Sequence, residues 1–329
     1  MTAGEGGRGP TVPPGVLREV VELACCAPSV HNTQPWSWRA VGTTLELYAD
    51  PRRRLPAADP QGRNLVISCG AALHHAHVAA RALGWEARAT RLPSGDRSPL
   101  LARISLTHAT PPRDATTQVQ AIRERRTDRR RFTSWPVPEH QLRGLADVAT
   151  AWGADAVPVL DPSRRHLAEV LVGRALERQT ADERLDREQL QWVDHGEHDG
   201  VPGGAVPRAQ APEARLRTRY GTGALDETER TVVGTDRLMV LRGAHDTVES
   251  WLRSGEGLSA LWLQAAREGL TVVPLSQVIE LDETREQLRT EVLQGVGSPH
   301  LILRVGWQAI GRDAVPPTPR RPLDDVLVG

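Results

Sequence analysis

A dense run of arginines lies in the segment RERRTDRRRF, which spans residues 123–132. In an extended segment alternate side chains point to the same side, so Arg125, Thr127 and Arg129 would share one face. Two guanidinium groups and a hydroxyl on one face suit the oxygens of a phosphate group. A solvated charge run or a nucleic-acid patch would have a similar composition. The nucleic-acid version is disfavoured, because the chain has zero net charge, one Phe and two Tyr.

A second polar segment, APSVHNTQPW, spans residues 27–36. Pro28 should end the preceding helix, and Pro35 fixes the chain before the next strand. Between them Ser29, Asn32 and free backbone amides could hydrogen-bond a planar heterocycle or a polyhydroxyl chain. The segment therefore predicts a ligand-binding loop, although a turn that satisfies its own polar groups remains an alternative.

Amino-acid usage excludes some mechanisms and favours a compartment. All 41 basic residues are arginine, so a lysine Schiff base and a standard P-loop are both ruled out. Cys25, Cys26 and Cys69 are too few for a disulfide framework, which favours a reducing cytoplasm. The first residues lack the apolar core of a signal peptide, and no apolar run approaches the roughly 20 residues that a membrane span needs. We therefore expect a cytoplasmic protein with no membrane or nucleic-acid partner.

Three histidines, His74, His75 and His77, form an HHxH cluster on a predicted buried helix. Helical metal ligands are usually spaced at i and i+4, so that both face one ion. The spacing here differs, and packing is the favoured interpretation, with no metal expected.

Internal similarity indicates that the chain contains two related halves. Three pairs of segments occur in the same order, each with a predicted helix or strand in both copies: 12–24 with 137–149, 45–55 with 156–167, and 70–85 with 255–270. The last pair should be buried helices that end at Gly84 and Gly269. The offset grows by about 60 residues, which places an insertion at about 175–230, a polar stretch rich in Gly and Pro. Such an insertion could be an active-site lid, a partner-binding arm or a surface loop. The predicted organisation is a disordered lead-in (1–11), a first half (12–115) and a second half (116–329).

These motifs, in this order, resemble the FMN-dependent nitroreductase family, and most of all its duplicated Acg-like branch. The helix followed by APSxxNxQPW, and RRTxRRxF followed by a Val-Pro helix, carry the resemblance over nearly all of the chain beyond residue 12. It implies an α+β fold of two fused halves, each with a mixed sheet flanked by helices, and one FMN at their junction. Such a pseudo-dimer could be monomeric or form a homodimer.

The resemblance also implies which residues bind the cofactor. Arg125, Arg126, Thr127 and Arg129 match the arm that binds the flavin phosphate and ribityl chain, and Arg320 and Arg321 match a late basic pair on the same phosphate. The loop contributed by the opposite half corresponds to Pro28, Ser29 and Asn32. The segment whose backbone faces the isoalloxazine corresponds to Pro274, Leu275, Ser276 and Gln277. Many active members have lysine where this chain has Arg129.

The function implied is NAD(P)H-dependent, two-electron reduction of a small electrophile of nitro or quinone type. A flavoprotein that sequesters FMN or senses its redox state beneath an occluding lid is the alternative. No catalytic residue is assigned, because the cofactor itself would carry the chemistry.

Overall fold

The computed structural model describes residues 12–207, 219–220, 236–309, 311 and 313–328. Its α-helices run, in chain order, over Pro14–Ala24 (α1), Arg63–Ala82 (α2), Ala115–Glu124 (α3), Glu139–Thr150 (α4), Pro162–Ala181 (α5), Glu183–Gln191 (α6), Val248–Arg267 (α7), Gln277–Glu280 (α8), Asp282–Gln287 (α9) and Leu323–Val326 (α10). The strands are Trp36–Val41 (β1), Thr44–Ala49 (β2), Trp85–Arg91 (β3), Leu100–His108 (β4), Asp155–Pro158 (β5), Arg237–Gly243 (β6), Leu270–Leu275 (β7), Ser298–Trp307 (β8) and Leu327–Val328 (β9). Short 3₁₀ turns occur at Val30–Asn32, Pro51–Arg53 and Gly203–Ala205, and a π-helical turn at Leu288–Val292.

Two separate sheets organise these elements. The first has the strand order β3-β4-β2-β1-β9, and the second has the order β5-β6-β8-β7. Neighbouring strands are antiparallel except β1 and β9, which pair in parallel and make the first sheet mixed. The predicted α+β class is confirmed.

The two sheets share one connectivity. In each half a helix is followed by two strands, a long helix and two more strands, and the strand order reads third-fourth-second-first. We propose that the halves are duplicate copies, and this shared topology supports that proposal. The sequence match of 45–55 with 156–167 does not follow it, because β2 has β6 as its counterpart and β5 corresponds to β1. The predicted insertion, called the additional segment from here on, accordingly lies between β5 and β6. It starts near residue 159, whereas the sequence placed its start at about residue 175.

The long helices α2 and α7 cross at the centre of the molecule. Sixteen of the twenty residues of α2 are buried, as expected for a helix that is covered on all sides. The crossing is close because Gly70 meets Gly255: a Cβ on Gly255 would lie 2.0 Å from the carbonyl oxygen of Ile67. The predicted glycine terminators are confirmed, since Gly84 and Gly269 adopt φ of 85° and 77° directly after the helices.

Replacing Gly255 by alanine should therefore destabilise the protein. The new methyl group would overlap the backbone of α2, and forced overpacking costs about 1–3 kcal/mol. Gly173→Ala is the matched control: Gly173 also lies inside a helix, and no atom lies within 4 Å of the position its Cβ would take. That change should stabilise the protein by about 0.5–1 kcal/mol. Urea unfolding of both variants measures the difference, and equal stabilities would contradict the close crossing.

The described part of the additional segment is held against the first half. The Glu188 carboxylate accepts hydrogen bonds from the backbone N–H groups of Ala57 and Ala58, both at 2.9 Å. Further along, Asp199 forms an ion pair with Arg53. These contacts attach the segment to the turns at 51–58 of the first half. None of the described helices is both long and apolar enough for a membrane crossing.

Candidate cofactor site

A cavity lies where the two halves meet, and its unfilled space, which includes open solvent at its mouth, is about 850 Å³. Both long helices, the loop after α1, the arginine-rich arm and the end of β7 contribute to its walls. Eight of the thirteen residues predicted to bind the cofactor line it directly: Pro28, Ser29, Thr127, Arg129, Pro274, Leu275, Ser276 and Gln277. The structure thus brings together segments that are up to about 250 residues apart in sequence.

The loop after α1 has an unusual backbone. His31, Asn32 and Gln34 have φ of 47°, 54° and 48°, a left-handed region that side chains other than glycine rarely adopt. The Ser29 hydroxyl accepts a hydrogen bond from the Gln34 N–H at 2.9 Å, and the Ser68 hydroxyl accepts one from Val30 at 3.2 Å. Backbone strain of this kind persists where surrounding contacts enforce it and is concentrated at ligand sites.

Asn32 itself does not line the cavity. Its side-chain amide donates to the carbonyl oxygens of Gly200 at 2.9 Å and Pro319 at 3.0 Å. Its carbonyl oxygen accepts from Arg320 at 3.2 Å. Asn32 therefore joins three distant segments behind the wall of the cavity, and direct contact with a ligand stays a prediction.

The arginine-rich arm shows the predicted alternation only in part, because Arg125 does not line the cavity. Thr127 and Arg129 line the cavity, while Asp128 and Arg130 form a buried ion pair at 2.8 Å that fixes the arm. The guanidinium of Arg129 lies 4.8 Å from the centre of the Tyr220 ring, and its Nη1 is buried without a partner among the described residues.

Arg125 lies buried at the base of this arm. Its Nη2 donates to the Cys26 carbonyl oxygen at 3.3 Å, and its guanidinium lies 4.4 Å from the centre of the Trp262 ring. Its Nε and Nη1 have no partner within the described part of the chain. Burial, together with the neighbouring charge of Arg320, lowers the pKa of Arg125 to about 9. The side chain therefore remains charged at neutral pH at an energetic cost.

Arg320 reaches the same place from the C-terminal segment. Its Nη2 also donates to the Cys26 carbonyl oxygen, at 3.1 Å, while Nε is buried and without a partner among the described residues. Burial lowers its pKa. No described aspartate or glutamate forms an ion pair with Arg125, Arg129 or Arg320. Three cations without carboxylates, with unused N–H donors, form a site that favours an anion.

The two other predicted arginines lie elsewhere. Arg126 donates to the carbonyl oxygens of Arg123 and Arg125 at 2.6 and 2.9 Å. Arg321 donates to those of Gln34 and Trp36 at 3.2 and 3.1 Å and so braces the start of β1. Neither lines the cavity, and a role for them in binding the cofactor stays a prediction.

The residues that directly follow β7, Ser276 and Gln277, supply further polar groups to the cavity wall. Gln277 is almost fully buried, and its Nε2 has no partner in the part of the chain that the structure describes. The Ser276 hydroxyl accepts from Nη1 of Arg219 at 3.1 Å. Gln277 is thus an amide donor that a planar heterocycle in the cavity could use.

Twelve of the twenty residues that line the cavity were not predicted from the sequence, among them His31, Arg219 and Tyr220. The Tyr220 hydroxyl lies 2.9 Å from Nδ1 of His31. Burial and then the charges of Arg219 and Arg129 lower the pKa of His31 well below its usual value, so its ring is neutral. Trp262, on α7, is both buried and part of the cavity wall. Of His31, Arg219 and Tyr220, only His31 lies in one of the motifs identified in the sequence.

Taken together, the cavity at the junction of two α+β halves has aromatic and apolar walls and buried N–H donors beside it, an arrangement that suits a planar ligand with an anionic group. A Mycobacterium tuberculosis H37Rv protein provisionally named an NAD(P)H nitroreductase is 36% identical over 337 residues, covering 99% of the chain and 97% of that protein. The M. tuberculosis protein Acg, provisionally named in the same way, is 33% identical over 331 residues, covering 95% of each. The chain belongs to the NAD(P)H nitroreductase family and to its Acg-like branch, as the motifs indicated.

Solved structures and family models add less. The FMN-dependent nitroreductase NfnB of Mycobacterium smegmatis, solved in complex with NADPH, is 17% identical with a TM-score of 0.40, covering 64% of this chain and 96% of that one. A Bacteroides fragilis nitroreductase with bound FMN has a TM-score of 0.37 and 14% identity, over 60% of this chain and 90% of that one. No family model matches the chain.

Proposed function

We propose that the protein is an FMN-dependent oxidoreductase that uses NAD(P)H to reduce a small electrophile of nitro or quinone type. The observation that carries this proposal is the buried, unpartnered N–H groups of Arg125 and Arg320 beside the cavity between the halves, since neither side chain has a carboxylate partner among the described residues. Family membership supports it independently. The cytoplasmic location, and the choice between a monomeric pseudo-dimer and a homodimer, stay predictions.

The residues present fit FMN. Arg125, Arg129 and Arg320 would hold the phosphate and the negative edge of the ring, because each retains a buried N–H without a partner. Thr127 and Ser29 would offer hydroxyls to the ribityl chain, and the loops at 28–31 and 274–277 would enclose the ring. FMN, when bound, accepts and passes on a hydride equivalent.

The chain's own contribution to the reaction is binding, orientation and water exclusion. The Gln277 amide would place a hydrogen-bond donor at the ring, where it stabilises developing negative charge. Tyr220 holds its hydroxyl against neutral His31 at 2.9 Å, which gives the cavity a polar contact for a substrate. The ring of Trp262 and the side chains of Leu258 and Leu275 also line the cavity. These apolar groups would exclude water from the bound ring.

Two measurements test this proposal in sequence. The purified protein should be yellow and release FMN in an amount equimolar with the chain on heating. Anaerobic addition of NADH or NADPH should then bleach the flavin absorbance. A colourless protein that also fails to take up added FMN would refute the cofactor assignment. A yellow protein that neither nucleotide bleaches would refute the enzyme but leave the FMN site intact.

A second candidate function is a protein that sequesters FMN or senses its redox state. The observation that favours it is the position of Arg219 and Tyr220: both come from the additional segment, and both form part of the cavity wall. A wall built from that segment would limit access of nicotinamide to the ring. The double variant Arg219→Met/Glu280→Gln separates the two functions, because only a sequestering cover would slow reduction of FMN in the unaltered protein.

A further inference from the structure

The Asn32 side chain joins the additional segment to the C-terminal segment at 319–321. Its Nδ2 donates one hydrogen to the carbonyl oxygen of Gly200 at 2.9 Å and the other to that of Pro319 at 3.0 Å. Its Oδ1 accepts from Nη1 of Arg320 at 3.2 Å. The opposite orientation of the amide would set its oxygen against two carbonyl oxygens, so the partners fix this one. Asn32 therefore connects the additional segment directly to a guanidinium group of the candidate site.

Gln34 makes a parallel connection two residues later. Its Nε2 donates to the carbonyl oxygen of His198 at 2.9 Å, and its Oε1 accepts from the backbone N–H of Arg321 at 2.9 Å. Both Asn32 and Gln34 are buried, so breaking these bonds would leave polar groups without a partner and without water. The two amides thus hold the additional segment and the C-terminal segment against one loop.

The part of the additional segment that these amides hold has a small apolar cluster of its own. The cluster is separate from the two larger cores and consists of Val201, Val206 and Tyr220, with Val193 packed against them. A unit that buries little apolar surface opens at a lower free energy than the core does. Polar contacts with the first half, including those of the two amides, therefore contribute much of the free energy that keeps this unit docked.

We propose that Asn32 is a positioning residue that couples docking of the additional segment to occupation of the anion site by the FMN phosphate. The inference rests on the proposed FMN site at Arg125, Arg129 and Arg320. In the docked segment Asn32 is held by two carbonyl oxygens and directs Oδ1 toward Arg320, which orients that guanidinium group before the phosphate arrives. A bound phosphate fixes Arg320 in turn and so favours the docked segment. Linkage makes the two effects equal in size.

Hydrogen exchange of the backbone amides at 193–201, followed by mass spectrometry, tests the coupling with two flavins. FMN and riboflavin share the ring and the ribityl chain, and only FMN carries the phosphate. In the unaltered protein, saturating FMN should slow exchange in this stretch about fivefold or more relative to saturating riboflavin. Equal protection by the two flavins would overturn the proposal, because the phosphate would then have no effect on docking.

Replacing Asn32 by glycine removes the amide without straining the backbone, since glycine readily adopts a φ near the 54° of this residue. Asn32→Gly should weaken FMN binding about fivefold or more and riboflavin binding less than about twofold. It should also abolish the extra protection that FMN gives to 193–201. Gln294→Gly is the matched control, because Gln294 has a φ of 56° and is exposed in the second half. That change should leave both affinities unaltered.

The two flavins also separate this inference from the proposed function. An equal loss of affinity for FMN and riboflavin in Asn32→Gly would mean that Asn32 only supports the fold, and would overturn the coupling alone. An unaltered protein that binds neither flavin would refute the FMN site itself, and the coupling with it. The comparison of protection by the two flavins needs no variant, so it decides the question even if Asn32→Gly folds poorly.

Discussion

Replacing Arg125 by methionine should weaken FMN binding by about 100-fold, since two charge-assisted hydrogen bonds contribute roughly 1.5 kcal/mol or more each. The same change should raise the free energy of unfolding of the FMN-free protein. Arg125 is a buried cation that has, in the part of the chain that the structure describes, two unpaired donors and no carboxylate partner. Replacing such a charge by an apolar side chain of similar length removes its desolvation cost.

The opposite signs of the two effects make this prediction specific. A residue that only supports the fold would lose stability on substitution, whereas one kept for an anion should gain it. The gain should be modest, about 1–2 kcal/mol, because the contact with the Trp262 ring and the bond to Cys26 partly offset the cost of burial. Flavin fluorescence titration and urea unfolding of the FMN-free protein measure the two quantities.

Arg126→Met is the matched control. Arg126 is the next residue, but it is only half-buried, it bonds backbone carbonyl oxygens of its own turn, and it has no buried N–H group without a partner in the described part of the chain. Its replacement should change FMN affinity less than threefold, about 0.6 kcal/mol. An equal loss in both variants would indicate a general electrostatic effect, and a destabilised Arg125 variant with unchanged affinity would contradict the phosphate assignment.

Local motifs predicted much of this site because the relevant residues are close in sequence. Thr127 and Arg129 were placed on one face by simple alternation, and Asp128 and Arg130, between and beside them, pair with each other. Residues 274–277, which only the family resemblance indicated, turn from a strand into a short helix, so that consecutive residues line the same cavity. Where the direction of a side chain depends only on its neighbours within one turn of the chain, the sequence is sufficient to predict it.

The erroneous match of 45–55 with 156–167 has a chemical origin. In both segments an Asp-Pro step follows a strand, and the aspartate caps a helical turn: Asp50 accepts from the Arg52 N–H and Asp161 from the Arg164 N–H. Helix starts share this chemistry wherever they occur. The two segments therefore resemble each other because both contain the same kind of helix cap. Their positions in the sheets differ, because a strand's position depends on its pairing with distant strands.

Arg219 and Tyr220 could not be predicted for a different reason. They lie in a polar stretch without helical or strand periodicity, and their partners are 30–189 residues away in sequence. Only tertiary contacts bring Tyr220 to His31 and Arg219 to Glu280. Sequence patterns indicated that an insertion was present but contained no signal for which of its residues reach the cavity.

Replacing Arg219 by methionine should destabilise the protein by about 3–5 kcal/mol, because it leaves a buried carboxylate without its partner. Arg219 binds both oxygens of Glu280, at 2.6 and 2.7 Å, and the side chains are 8% and 1% exposed. Burial lowers the pKa of Arg219, but the charge of Glu280 outweighs this and raises it. Adding Glu280→Gln should recover much of the loss, since the second change removes the unpaired charge.

Arg178→Met provides the control for this prediction, because that arginine lies on α5, is 65% exposed and approaches Glu283 only to 3.7 Å. Surface pairs of this kind contribute about 0–1 kcal/mol. Thermal or urea unfolding of the single and double variants gives the coupling between Arg219 and Glu280. A coupling as small as that of the surface pair would mean that the ion pair does not hold the additional segment.

The double variant Arg219→Met/Glu280→Gln also decides between the two candidate functions. Its fold should be retained, while the bonds from Arg219 to Ser276, Gln189 and Gln179 are lost, so the part of the cavity wall at 219–220 is released. If that segment shields FMN, anaerobic bleaching by NADPH should become at least tenfold faster, because access limits the reaction. If it positions the nicotinamide instead, bleaching should slow, since misplaced reactants lose rate steeply.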